Sequence, residues 1–319
     1  MKRHHQILAA ILLVQITLTV IVFWPHSAAD EGAEPLFPDL EGDSIVSLNV
    51  TDENGDRVLL HKGNEGWVLP EADDYPAQTT SVTPVLDSLV EVDTDNVVAR
   101  SEDSHRQLQV GEENFVRRVA FETEDGHEHV LYVGSAPRYG ASHVRVEGED
   151  EVYLTSGISH WNLTAQPSSW VDASYLSVPQ EELMRVTLEN EQGTFTFVRG
   201  AEGAWTLEGL AEDEQISETE IGGLVSGVAN LALERPLGKT EEAAYGLDDP
   251  QAVVTLQTTE GEHTLVVGNH DAEEGGYVVK ASDASYYVTV SEASIRRVVE
   301  ASREDLLQEE PTATPTSSQ

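Results

Sequence analysis

The sequence predicts an α+β protein with two tandem homologous units, each a mainly antiparallel sheet with one principal helix, behind an N-terminal transmembrane helix. Three observations support this prediction. Short alternating apolar segments separated by glycine-containing turns are typical of antiparallel strands. The same order of segments occurs twice in the 319 residues. An uncharged apolar run precedes both copies.

The apolar run, residues 7–24, is long enough to cross a membrane as a helix. At about 1.5 Å per residue it spans about 27 Å, close to the thickness of the hydrocarbon core of a bilayer. Lys2 and Arg3 precede the run, and no Lys or Arg closely follows it. The positive-inside rule therefore predicts a single-pass protein of the cell membrane, with a cytoplasmic N-terminus and an extracytoplasmic remainder. Ser27-Ala28-Ala29 is similar to a cleavage site, so a cleaved signal peptide is the alternative.

The first unit begins with a predicted hairpin. Asn54-Gly55, a strong turn signal, separates the apolar residues of 45–50 from those of 58–60. Trp67-Val68-Leu69-Pro70 follows as a short strand that proline ends. The next apolar residues have the spacing of one helix face, with residues 79–81 available as a cap. These apolar residues are Val82, Val85, Leu86, Leu89 and Val90. Later strands are predicted at residues 116–123, 129–133, 143–146 and 152–154.

The second unit repeats this order. Ser217-Glu218-Thr219-Glu220 is a capping-box pattern before a helix with an apolar stripe at Ile221, Leu224, Val225 and Val228. Ser291 can cap a last helix, whose stripe contains Ile295, Val298, Val299 and Leu306. Matching residues in the two copies keep a nearly constant spacing, which indicates a duplication. The pairs 138 positions apart are Ile45 and Leu183, Gly55 and Gly193, and Trp67 and Trp205; those 134 apart are Gly134 and Gly268, and Tyr153 and Tyr287.

The repeat and the composition of the chain ends divide the sequence into five parts. Residues rich in Pro, Gly and acid after the apolar run predict a short tether, and the Thr/Pro/Ser-rich end predicts a disordered tail. The boundary between the units is expected between Pro167 and Pro179. The predicted parts are a cytoplasmic N-terminus and transmembrane anchor (1–29), a tether (30–43), the first unit (44–175), the second unit (176–307) and the tail (308–319).

The charge of the chain excludes one class of partner. Asp and Glu number 58 against 18 Lys and Arg, which gives a formal net charge of −40. Such a field repels nucleic acid, whose binding depends on Lys and Arg. Adaptation to high salt explains the acidity more simply than specific cation binding. The chain has no cysteine, so disulfides and thiol chemistry are excluded.

Few residues suggest chemistry. His127 and His129 would place two imidazoles on one face of a strand, a possible half-site for a metal, but exposed polar positions explain them more simply. Asp52 to Asp56 superficially resembles a calcium loop and fits a hairpin turn better. Asp248-Asp249 precedes a proline and fits a turn. GxSxG, HExxH and a phosphate-binding glycine loop are all missing from the sequence. The sequence therefore predicts no enzyme, catalytic residue, metal site or cofactor.

The two tryptophans Trp67 and Trp205 allow two interpretations. An aromatic ring on a strand can stack on a sugar. An aromatic residue at the same core position of both copies is the simpler explanation, because a buried Trp removes a large apolar area from water.

These residues resemble a known family, the domain of unknown function 4340. The resemblance covers roughly residues 36 to 305, beginning at Leu36-Phe37-Pro38. In the first copy Leu108-Gln109-Val110 replaces Tyr-Gly-Leu and no proline follows, so the turn there is expected to differ. The resemblance rests on structural positions: Trp67, Pro70, Trp205, Tyr245, Gly246, Leu247, Pro250 and Gly268, with the strands containing Tyr277 and Tyr287.

The resemblance implies a membrane-anchored extracytoplasmic protein without catalytic residues. Some members are similar to accessory components encoded with ABC transporters of the gliding-motility type. We therefore expect a non-catalytic accessory or scaffold protein, with an ABC permease or a co-encoded extracytoplasmic subunit as its partner. The alternative is a cell-surface binding module for a glycan or a divalent cation.

Overall fold

The computed structural model describes residues 34–271 and 275–308. The predicted membrane-spanning run 7–24 and nearly all of the predicted tail lie outside these residues. Within the two described ranges, no helix is long and apolar enough to cross a membrane.

Antiparallel sheets dominate the described residues, so the sheet-rich α+β class is confirmed. The strands in chain order are β1 (Ile45–Asp52), β2 (Arg57–Gly63), β3 (Gly66–Leu69), β4 (Tyr75–Pro76), β5 (Val97–Ala99), β6 (Arg117–Thr123), β7 (Glu128–Val133), β8 (Ala141–Val146), β9 (Val152–Ser156), β10 (Ser174–Ser177), β11 (Leu183–Asn190), β12 (Gly193–Arg199), β13 (Trp205–Leu207), β14 (Asn230–Ala232), β15 (Arg235–Gly238), β16 (Ala252–Thr258), β17 (Glu262–His270), β18 (Tyr277–Ala281) and β19 (Tyr287–Val290).

The strands form two large sheets and one small one. The first sheet has the order β4-β3-β2-β1-β6-β7-β8-β9-β5. The second sheet has the order β13-β12-β11-β16-β17-β18-β19-β15, and β10 pairs with β14. Strand β10 contains the predicted boundary between residues 175 and 176. Its partner β14 belongs to the predicted second unit.

Four α-helices accompany the sheets in the described residues. They are α1 (Thr79–Val90), α2 (Glu102–Gln107), α3 (Glu218–Ala229) and α4 (Glu292–Glu300). The apolar stripe predicted for α1 is buried at Val82, Val85, Leu86 and Leu89. The predicted capping box is confirmed, because the Ser217 hydroxyl accepts from the Glu220 amide, and Ser291 caps α4 in the same way.

Two details of the helices differ from the sequence prediction. No residue of 79–81 caps α1; the helix begins at Thr79 after Gln78, which makes no side-chain cap. The Gln78 amide instead donates to the carbonyl of Trp170, at 2.7 Å. Leu306 lies beyond the end of α4 at Glu300, although it is buried.

One continuous apolar core runs through both large sheets. The segment between them contributes to it: Ile158, Leu163, Trp170 and Leu176 are buried. The indole Nε1 of Trp170 donates to the Thr164 carbonyl at 2.9 Å. The segment between the two sheets therefore contributes side chains to the shared core, although other residues in it are exposed.

The N-terminal end of the described chain also packs on the first sheet. The Leu36 amide donates to the Val92 carbonyl at 2.6 Å, and Pro35 forms a bridge with Asp93. Phe37 and Leu40, in the stretch expected as a tether, are buried.

Candidate functional site

The family positions of the second sheet form one tightly packed cluster. A 3-10 turn, Ala243–Tyr245, ends at Gly246, whose φ is +67°. Gly268, in β17, passes so close to this turn that a Cβ there would lie 2.0 Å from the Tyr245 carbonyl oxygen. The Leu247 side chain lies over the same glycine. Tyr245, Gly246, Leu247 and Gly268 therefore act together as a close backbone contact, which only glycine at position 268 permits.

The first sheet contains the same contact in spite of its different sequence. Gln109, at the place of Gly246, also has a left-handed backbone, with φ +58°. A Cβ on Gly134 would lie 2.1 Å from the Leu108 carbonyl oxygen. The backbone at Leu108-Gln109-Val110 thus makes the same close contact as that at Tyr245-Gly246-Leu247. The approach to it differs, because the α-helix Glu102–Gln107 leads into Leu108, whereas the 3-10 turn Ala243–Tyr245 leads into Gly246.

Pro70 begins a 3-10 turn, Pro70–Ala72, that brings two acidic residues to the second sheet. Asp73 and Asp74 follow with φ of +51° and +59°. The Asp73 carboxylate accepts from the Lys239 amide at 2.6 Å. The Tyr286 hydroxyl donates to the Asp74 carbonyl at 3.3 Å. This acidic turn is one of the polar contacts that hold the two sheets in a defined arrangement.

A cleft of about 380 Å³ lies beside this contact. Its walls come from both sheets, including Leu69, Glu71 and Tyr245. Arg235 binds Asp271 in the cleft wall, with Nη2 and Oδ2 3.0 Å apart. Burial raises the pKa of the Tyr245 phenol, so the ring stays neutral at ordinary pH. The family positions Tyr245 and Pro70 thus lie at the junction between the sheets.

A larger pocket, about 710 Å³, lies under residues 36–40. His127 and His129 both line it; His129 lies in β7 and His127 immediately precedes that strand. Four carboxylates also line it: Asp39, Glu124, Asp125 and Glu149. The pocket therefore combines an apolar floor with an acidic rim.

The two histidines of this pocket differ in environment. The His129 ring stacks on Phe121 at 5.0 Å and meets Phe37 edge-on at 5.2 Å. Burial lowers the pKa of His129, because the charged ring is poorly solvated there, and the nearby His127 lowers it further. His127 lies at the exposed rim, with Nε2 3.6 Å from an Asp125 carboxylate oxygen. The Thr123 hydroxyl holds the pKa of Asp125 below its usual value. Within the described ranges, no three His, Asp or Glu side chains converge as a metal site.

The other candidates lie in turns. Asp52 Oδ1 accepts from the amides of Asn54 and Asp56, at 2.8 and 3.1 Å, so this segment is a hairpin turn. Asp248 and Asp249 are exposed in the turn that precedes β16. Pro250 follows them immediately before that strand.

The two tryptophans are not equally buried. Trp67 is 8% exposed and belongs to the core. Trp205 is partly buried and packs against the edge of that core. The core interpretation therefore holds fully for Trp67 and only in part for Trp205.

Two contacts of basic side chains give no signal in the sequence. Arg145, in β8, is 4% exposed, and its guanidinium donates to the carbonyls of Val110, Val146 and Glu149. Lys280, in β18, donates to the carbonyls of Ala281 and Ala284. A lone basic residue inside a predicted strand gives no sequence signal for such a contact, because acceptors such as the Glu149 and Ala284 carbonyls lie in the turn that follows the strand.

The comparison with protein families agrees with this arrangement. The model of the family described as a domain of unknown function, DUF4340, matches residues 67–248, more than half of the chain. The chain belongs to this family. The match begins at Trp67 and ends just after Tyr245-Gly246-Leu247, so it includes the acidic turn and the contact between the sheets. No curated protein and no solved structure matches the chain.

Proposed function

We propose that this DUF4340 protein is a non-catalytic accessory or scaffold protein that acts by contact from the outer side of the cell membrane. Its partner in this proposal is an ABC-type permease or a co-encoded extracytoplasmic subunit. The supporting observation is that the residues typical of the family have structural roles. Trp67, Tyr245 and Gly268 pack within the sheets, and the turn after Pro70 joins the two sheets. A body that is rigid before binding loses less entropy on association, which suits a scaffold.

We infer that the two large sheets are homologous units. The pairings β1–β6 and β11–β16 have their irregularity at matching places, between Ile45 and Ser47 and between Leu183 and Arg185. Trp67 and Trp205 pair with β2 and β12 in matching registers.

Two basic residues at matching places support the same inference. Arg145 and Lys280 each donate to the carbonyl of the next residue and to that of the fourth residue on. The strand pairing places Tyr153 opposite Val144 and Val288 opposite Val279. If Arg145 corresponds to Lys280, then Val144 corresponds to Val279, and their partners Tyr153 and Val288 correspond to each other. The sequence spacing instead matches Tyr153 with Tyr287, the preceding residue. An experimental structure in which superposition of β1 on β11 left β6 and β16 in different registers would contradict the duplication.

Anchoring through residues 7–24 is part of the proposal. Protease added to intact spheroplasts should digest the chain beyond residue 30 and leave a small membrane-bound fragment. Complete protection, or a mature membrane-free protein that begins at Asp30, would contradict this topology.

The test of the partner is purification of the tagged full-length protein from its native host in mild detergent. Mass spectrometry should identify permease and ATPase subunits in the eluate. The matched control is a tagged chain that keeps residues 1–43 and lacks the sheets, which should lose them. Recovery of the protein alone, with normal transport in a deletion strain, would reject the transporter partner.

The pocket under residues 36–40 favours one second candidate, a binding module for a divalent cation or a glycan. Four carboxylates and two imidazoles line this pocket, but no three of these side chains converge in the described residues, so a cation would have to draw them together as it binds. Calcium should then raise the melting temperature, and a chelator should reverse the shift. Asp125→Asn should abolish the shift, whereas the exposed Asp248→Asn should keep it. An equal shift in both variants would mean that calcium acts elsewhere.

A further inference from the structure

The last strands of the two sheets, β5 and β15, occupy corresponding places. Val97 of β5 pairs with Tyr153, and Pro236 of β15 pairs with Val288. In both strands the register shifts between this pair and the next one. Strand β5 ends two residues later at Ala99, and β15 ends two residues later at Gly238. A basic residue follows each strand: Arg100 after β5 and Lys239 after β15. This correspondence uses the proposed homology of the sheets, but it does not depend on a transporter partner.

The environments of these two strands are opposite. Pro236 and Gly238 of β15 are buried, because the acidic turn of the first unit covers this edge. The Asp73 carboxylate there caps the Lys239 amide. In β5, Val97 and Val98 are 37% and 43% exposed. Among the described residues, no acidic turn covers β5.

The second unit has a turn at the place of the one that covers β15. In the first unit this turn lies before Gln78, whose amide donates to the Trp170 carbonyl. In the second unit the Ser217 amide donates to the Leu306 carbonyl in the same way. Asp73 and Asp74 lie five and four residues before Gln78. The residues five and four positions before Ser217 are Glu212 and Asp213, which therefore correspond to them. Both are exposed.

We propose that β5 is a docking edge for a second copy of this chain, which places its Glu212-Asp213 turn against Arg100. The contact would repeat between molecules the one that already joins the sheets within a molecule. An open edge strand with two exposed valines is prone to pairing. Arg100 is the basic side chain beside this edge; its Nε lies 3.2 Å from Glu151 Oε1 of its own chain, and its side chain is still 64% exposed to an incoming carboxylate. Because the two surfaces differ, the contact is head-to-tail and can continue to a third copy.

The net charge of −40 sets the conditions for this association. Two copies repel each other at low salt. At an ionic strength of about 1 M the Debye length falls to about 3 Å, so long-range repulsion is screened while contacts at the interface remain. Association should therefore strengthen from low to high salt.

The absence of cysteine permits a direct test with the full-length protein in detergent. One preparation carries Val98→Cys and the other Asp213→Cys, and the two are mixed at high salt under mild oxidation. We expect a disulfide-linked dimer in several-fold higher yield than from Val98→Cys mixed with Glu149→Cys, an exposed acidic position on the β8–β9 turn. Adding Arg100→Glu to the Val98→Cys chain should reduce the yield several-fold, whereas Glu151→Gln, which removes only the partner of Arg100 within the chain, should not reduce it.

Three results would overturn the proposal. The first is a yield equal to that of the Glu149→Cys control. The second is equally efficient dimerisation of Val98→Cys alone, which would indicate symmetric pairing of two β5 edges. The third is a disulfide within one chain that carries both Val98→Cys and Asp30→Cys, which would mean that the N-terminal segment of the same chain covers β5. Unchanged melting curves of the exposed single-cysteine variants verify that they are folded.

Discussion

Apart from β4, which has no counterpart in the second sheet, the two large sheets have the same order of strands, but they differ at the last strand of that order. β15 lies against the acidic turn at Asp73-Asp74, whereas β5 exposes Val97 and Val98. The difference does not come from the strands themselves, since both are short and carry apolar residues. It comes from the surface that lies opposite, because the turn at Asp73-Asp74 covers β15. Similar sequence patterns can therefore form a buried junction in one place and an open edge in another.

The largest effect should come from the two close backbone contacts that the sheets have in common. Gly134→Ala and Gly268→Ala would each place a Cβ about 2 Å from a carbonyl oxygen, and relief requires a backbone shift. We expect a loss of about 3 kcal/mol or more in the free energy of unfolding for each. Urea denaturation measures this loss.

Gly261→Ala is the matched control, because a Cβ there meets nothing within 4 Å. It should change stability by no more than about 0.5 kcal/mol. A loss at only one of the two contact glycines would show that the contact is not equivalent in the two sheets.

Removing the tryptophan ring should destabilise the protein more in the first sheet than in the second. Trp67→Ala removes a buried ring and should cost about 3–5 kcal/mol. Trp205→Ala removes a partly buried ring and should cost about half as much, in proportion to the apolar area lost. Trp161→Ala, at a ring that is 74% exposed, should be nearly neutral. Equal losses at Trp67 and Trp205 in thermal unfolding would argue against the difference in burial.

The left-handed turns should respond in opposite directions. Gln109→Gly relieves a left-handed non-glycine residue and should stabilise the protein by a net amount of about 0.5–1 kcal/mol. Gly246→Ala should destabilise it, because φ is +67° and the new Cβ would lie 2.4 Å from the Asn269 side chain. Chemical denaturation of both variants tests the comparison, and a loss at Gln109→Gly would contradict it.

The smallest effect is the pH dependence of the pocket in the first sheet. Burial lowers the pKa of His129 in the folded protein, while the unfolded chain titrates near its usual value of about 6.5. The unfolded state therefore takes up a proton first as pH falls, and stability declines below about pH 6.5. His129→Phe keeps an aromatic ring and removes the proton site. Its melting temperature should fall less than that of the wild type between about pH 7.5 and 5.5; an equal fall would show that His129 does not contribute.

Much of the local structure could be predicted from the sequence. The hairpin at Asn54-Gly55, the stripe of α1 and the caps at Ser217 and Ser291 depend on residues close together in the chain. Their hydrogen bonds and apolar spacing are local, so the pattern of residues is enough. The short edge strands β4, β5 and β15 and the helix α2 were missed, because two to six residues give too little periodicity.

The sequence by itself determined the sheet-rich class, the family and the positions that carry the family resemblance. The tertiary structure decided how those positions are used. Asp73 caps an amide 166 residues away, and Trp170 is buried because both sheets pack around it. The exposure of β5 and the burial of β15 likewise depend on which surface lies opposite. Contacts between distant residues are set by the packing of whole sheets, and that packing is a property of the folded chain and not of any single segment.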